Sequence, residues 1–121
     1  APFGAPLGLG RFRAALRRGV PIAMGTDAGT PFNYHGDNAQ ELERMVALGM
    51  TPMEAIMTST SAAARLLGLI QDIGSIAAGK QADLLVVEGN PLRNIGVLLK
   101  RERIAGVMQR GRFVAGPLSG A

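Results

Sequence analysis

Two side chains in one glycine-rich stretch, Asp27 and His35, have the chemistry to hold a cation or move a proton. Both lie between Gly25 and Gly36, just after the apolar run Val20-Pro21-Ile22-Ala23-Met24. An ionised aspartate is a hard oxygen ligand for a divalent cation, or a general base. An aspartate in a Gly-rich turn also binds its own backbone amides, and spacing alone leaves these readings open. His35 is a possible ligand, proton shuttle or substrate contact, and a plain surface histidine fits equally. A catalytic zinc takes about three protein ligands plus a water, so a single aspartate does not make a site. The chain has one His and no Cys. That excludes a disulfide framework, a thiolate metal site, a Cys nucleophile and a cluster of imidazole ligands within these residues.

A third pattern misleads. Gly74-Ser75-Ile76-Ala77-Ala78-Gly79-Lys80 matches most of a phosphate-binding loop, but Gln81 stands where a magnesium-binding Ser or Thr is required. The residues that follow read as a strand, whereas a phosphate loop opens a helix. The segment is therefore expected to be a turn.

Charge adds little. Among 121 residues, 13 Lys plus Arg face 9 Asp plus Glu, for a net +4. The basic residues gather at Arg11–Arg18 and Arg93–Arg112, but of the five aromatics only Phe12 falls within either stretch, short of the interleaving a nucleic-acid reader would need. No nucleic-acid partner is expected. No apolar run reaches the roughly 18 to 20 residues of a membrane span, so no membrane partner is expected either. No signal-like segment opens the sequence, and a cytoplasmic location is the expectation. The chain starts at Ala1 without Met, which fits a processed chain, a truncated clone or a piece of a longer protein alike.

The elements that must position Asp27 and His35 follow from periodicity. Residues 1–7 read as a tail. Residues 8–18 read as a helix with Leu9, Phe12, Ala15 and Leu16 on one face, stopped at Gly19. Val20–Met24 reads as a strand buried on both faces, which puts Asp27 just past its C-terminal end, where α/β proteins place ligands. Asp37 and Gln40 predict a capping box for a helix with Leu42, Met45 and Val46 inward, ended by Gly49. Thr51, Pro52 and Glu54 predict a second capped helix, with Met53, Ile56, Met57, Thr60, Ala63, Ala64 and Leu67 on one face, ended by Gly68. The methionines are expected to be core filler. Leu84–Val87 reads as a buried strand, Asn94–Lys100 as a helical turn, and Ile104–Met108 with Arg112–Val114 as a hairpin. The last residues, 116–121, read as loop.

Together these motifs resemble the metal-dependent amidohydrolase superfamily. Val20-Pro21-Ile22-Ala23-Met24-Gly25-Thr26-Asp27 is similar to its last barrel strand, where a G-T-D motif carries an aspartate. Gly74-Ser75-Ile76 and Gly79-Lys80-Gln81-Ala82-Asp83-Leu84-Leu85-Val86-Val87 resemble its G-S-I-x-x-G-K-x-A-D-L-V-V segment. The nearest likeness is to the imidazolonepropionase-like and prolidase-like group. The resemblance implies an α/β fold: residues 1–70 as the last β/α units of a (β/α)8 barrel, residues 71–121 as C-terminal strands of a small composite β-sandwich. It implies one or two divalent metals, usually zinc, at the barrel mouth. It gives Asp27 the roles of metal ligand and catalytic proton acceptor from a metal-activated water, and His35, more weakly, that of a substrate contact. The implied substrate is a small amide, dipeptide or cyclic amide. A barrel of this kind takes about 250 residues. The family's H-x-H motif, its bridging Lys or Glu and its later histidines are absent from this sequence. The expectation is a C-terminal fragment, inactive alone and possessing one ligand of several. The alternative is a non-enzymatic α/β module that interacts or oligomerises through an exposed strand edge.

Overall fold

The computed structural model describes residues 5–120. The expected tail is therefore visible only from Ala5, with residues 1–4 outside the described residues, and Ala5 already begins helix α1, Ala5–Arg17. Pro6 is compatible with a first helical turn, where the missing N–H has no partner to lose. Phe12 and Leu16 pack on the core, and Gly19 ends the helix, its N–H donating to the Leu16 carbonyl.

Val20–Met24 does not form the expected strand. A parallel strand needs neighbours in the hydrogen-bonding direction, and the described residues offer it none. The run is held instead by Ile22 and Met24 packing on the core and by the Met24 N–H donating to the Thr58 carbonyl at 2.9 Å.

Helix α2, Ala39–Ala47, starts without the expected box. Asn38, already helical in backbone, occupies the cap position, and no side chain accepts there. Helix α3, Pro52–Ser59, has its predicted cap: the Glu54 N–H donates to Thr51 Oγ1, and the Thr51 N–H donates to Glu54 Oε2.

The second predicted helix breaks at Thr60 (φ −122°, ψ −95°) and resumes as α4, Ser61–Leu66. The cause is a run of four hydroxyl residues. Thr58 donates to the Ala55 carbonyl, while Ser59 and Thr60 both donate to the Ile56 carbonyl. Such back-bonding competes with the helical ladder and bends it. Gly74 lies in the angle of the break: a β-carbon there would stand 2.6 Å from the Ala64 β-carbon and 3.0 Å from the Thr60 carbonyl oxygen.

The break also turns the buried face. Ala55, Thr58, Ser61 and Ala64 are buried, whereas Met53, Met57 and Leu67 are exposed, contrary to the predicted stripe. Among the methionines, Met45 and Met50 are buried in the core with Leu42, Ala55 and Ile95, and Met24 packs against it.

The remainder is a three-stranded antiparallel sheet ordered β1 (Leu84–Val87), β2 (Ile104–Gln109), β3 (Arg112–Ala115). The helical turn expected over Asn94–Lys100 forms as a 3-10 turn, Ile95–Leu99, and packs on α2. The hairpin between β2 and β3 turns at Arg110 and Gly111, both with positive φ, as a tight hairpin turn requires. The Arg110 N–H donates to Asp83 Oδ1 at 2.8 Å, and the Gly111 N–H to the Ala82 carbonyl. The Ala82-Asp83 pair thus ties the hairpin to β1. The strand itself is not buried as predicted: Leu85 and Val86, on its opposite faces, are both exposed, and it lies at an edge of the sheet. Past β3, Pro117–Ser119 forms a short 3-10 turn.

The molecule is open. Its accessible surface is 8787 Å². A compact monomer of 12.6 kDa has about 6,200 Å².

Candidate active site

The loop after Met24 is built by residues other than its aspartate. Thr26 Oγ1 accepts from the Ala28 N–H at 3.3 Å. The Asn33 side-chain amide donates to the Thr26 carbonyl. The Gly29 N–H donates to the Asn33 carbonyl at 2.8 Å, and the Thr30 N–H to the Asp27 carbonyl at 3.4 Å. The Asn33 N–H closes a turn onto the Thr30 carbonyl at 3.0 Å. That turn has Pro31 at its second position and a positive φ, 62°, at Phe32, the marks of a type II turn. A bulky L-residue in this region costs about 1–2 kcal/mol.

None of these hydrogen bonds uses the Asp27 carboxylate. Asp27 is exposed, with a left-handed backbone (φ 50°) that aspartate tolerates better than most residues. Thr26 and Asn33 satisfy the turn, so the reading of Asp27 as a residue that caps its own turn loses its support. An exposed, unengaged carboxylate is suited to a cation or to accepting a proton.

His35 is exposed too. Its Nε2 lies 3.2 Å from where a β-carbon on Gly29 would stand, so the imidazole rests over the backbone two residues beyond Asp27. The fold thus folds both predicted residues into one loop. A methyl group at Gly29 would press on the ring. From a distant element, Arg101 reaches the same loop: its Nη2 is 3.8 Å from the corresponding β-carbon position on Gly36. Among the described residues no three His, Cys, Asp or Glu side chains converge as a metal-binding group. Asp27 fits a divalent cation by its chemistry, as one oxygen donor of a larger set.

Sequence reading missed Asn33 and Phe32, although Thr30-Pro31-Phe32-Asn33 has the composition of a turn with Pro second. It could not have found Arg101, which only tertiary packing brings near. It correctly set aside the phosphate-loop pattern: the Lys80 ammonium donates to the Ile70 carbonyl and to Ser75 Oγ, tying down its own loop.

A separate apolar groove runs between α2, α3 and β1, lined by Met24, Leu42, Ile56, Ile76, Leu85 and Leu98. It also touches Asp83, whose carboxylate is engaged by the hairpin. It offers contact area rather than reactive groups.

The sequence profile of the amidohydrolase family matches residues 7–114. Ochratoxinase from Aspergillus niger is 34% identical over 108 residues, covering 88% of this chain and 22% of the relative. Imidazolonepropionase from Shouchella clausii is 34% identical over 104 residues, covering 84% and 23%. Among solved structures, a Xaa-Pro dipeptidase with methionine bound in its active site superposes with a TM-score of 0.83 at 41% identity, over 93% of this chain and 27% of that one. The chain spans about a quarter of the length of these relatives.

Proposed function

The chain belongs to the amidohydrolase family, and from that premise we propose that it forms the C-terminal portion of a metal-dependent hydrolase of C–N bonds. In this reading residues 1–70 contribute the last β/α units of a (β/α)8 barrel, and residues 71–121 the C-terminal strands of a composite β-sandwich. The substrate is a small amide, dipeptide or cyclic amide.

The observation that carries the reading is the Asp27 carboxylate, exposed and left out of every hydrogen bond that builds its loop. One of its oxygens would hold a divalent cation, zinc being the usual choice, together with ligands from outside these residues. Such a cation, when bound, lowers the pKa of water towards about 7. The other Asp27 oxygen accepts the proton of the water that attacks the carbonyl carbon, and returns it to the leaving nitrogen as the C–N bond breaks. His35, over Gly29, is a contact for the substrate.

The excess surface, the unpaired run Val20–Met24 and the open apolar groove support a piece whose packing partners lie elsewhere in a larger protein. Asp27→Asn in the full-length, zinc-loaded enzyme tests the role: hydrolysis of Xaa-Pro dipeptides or N-acyl amino acids should be lost. Undiminished turnover would remove Asp27 from the chemistry.

A second reading is favoured by β1, an edge strand with Leu85 and Val86 exposed. Exposed apolar edges pair with other strands. Under this reading the chain is a non-enzymatic module that self-associates through that edge. Size-exclusion chromatography with light scattering distinguishes it, since a clean monomer contradicts it.

A further inference from the structure

Phe32 is poorly suited to its place by any structural measure. It stands at the third position of the Thr30–Asn33 turn with φ 62°, where glycine is the ordinary occupant. The residue is 92% exposed. A bulky aromatic is therefore held in a strained backbone and gains almost no packing among the described residues. Glycine would build the same turn with less strain, so the turn does not explain the ring.

The hydrogen bonds say where the ring is displayed. The Thr30 N–H donates to the Asp27 carbonyl, and the Gly29 N–H to the Asn33 carbonyl. The Phe32 turn is thereby folded back onto the segment that carries Asp27. Tyr34, 67% exposed, stands two residues away. An aromatic surface and a free carboxylate are presented by one hydrogen-bonded loop.

Resting on the hydrolytic reading above, we propose that Phe32 is a specificity-determining contact, whose ring receives an apolar or aromatic side chain of the amide substrate beside the bond that Asp27 serves. The carboxylate acts on the C–N bond and is indifferent to the side chains around it; the ring is not. Because the turn fixes the backbone beneath the ring, little ordering accompanies the contact.

The test compares wild type with Phe32→Gly in the full-length, zinc-loaded enzyme. The readout is the ratio of kcat/KM for Phe-Pro over Gly-Pro, and for N-benzoyl-leucine over N-acetyl-leucine, together with the Tm of each protein. The wild type should prefer the aromatic member of a pair. In the variant that preference should fall about tenfold, the scale on which apolar pockets discriminate, while the Tm stays level or rises as strain is relieved. A preference equal in both proteins overturns the proposal. If the Tm also drops by several degrees, the ring belongs to packing against the rest of the polypeptide. A wild type that hydrolyses none of the four substrates overturns the hydrolytic reading, and this inference with it.

Discussion

At Asp27 the division of labour within the loop decides the chemistry. Had its carboxylate capped the turn, it would be acceptor to a backbone N–H. Thr26 Oγ1 and the Asn33 carbonyl accept the Ala28 and Gly29 N–H groups instead, and the Asn33 side-chain amide donates to the Thr26 carbonyl. Asparagine tolerates the same left-handed backbone, so Asp27→Asn should leave the Tm within a degree or two of wild type. In the full-length enzyme kcat/KM should fall by about 10²–10⁴, the range for loss of a general base. Circular-dichroism melting and steady-state kinetics on one preparation measure both. Both site residues were legible as types in a long glycine-rich loop. The placement of His35 over Gly29 was not, because it depends on how the turns fold back. Nor was the exposure of Phe32, since an apolar residue in a sequence carries no sign that its backbone is left-handed.

The helices and strands show where local rules hold and where tertiary packing overrides them. The Thr51–Glu54 box and the Arg110-Gly111 hairpin use nearest-neighbour chemistry and are present as predicted. The break at Thr60 was readable in principle from Thr58-Ser59-Thr60-Ser61, but hydrophobic periodicity across it spoke for one helix. The Val20–Met24 strand was a reading of composition, and composition cannot supply the neighbours a ladder needs.

Two substitutions probe the break. Gly74→Ala puts a methyl 2.6 Å from the Ala64 β-carbon and against the Thr60 carbonyl, on a backbone at φ 92°. It should destabilise the chain by about 1–3 kcal/mol in urea unfolding, as overpacking does. Ser61 is the member of the hydroxyl run whose buried Oγ has no hydrogen-bond partner among the described residues. Ser61→Ala removes an unsatisfied group without opening a cavity. It should be neutral or stabilising by up to about 1 kcal/mol in the same unfolding experiment.

For the molecule as a whole, the small core of Leu42, Met45, Met50, Ala55 and Ile95 contrasts with the apolar residues left in water, among them Ile76 at 90% and Leu66 at 76% exposure. The accessible surface, 8787 Å², exceeds the roughly 6,200 Å² of a compact monomer of this mass. The family match over residues 7–114 and the coverage of about a quarter of each relative agree with that openness. Sequence reading expected a fragment, from the resemblance to a larger family whose other site motifs these 121 residues lack. We propose that these 121 residues supply one carboxylate, that of Asp27, to a hydrolytic centre whose other ligands lie outside them. The direct measurement is hydrolysis of Xaa-Pro dipeptides and N-acyl amino acids, with added zinc, by the isolated chain and by the full-length protein side by side. The full-length protein should turn them over while the isolated chain gives no rate above buffer. Turnover by the isolated chain, abolished by Asp27→Asn, would overturn this assignment by showing that the chain carries a complete site.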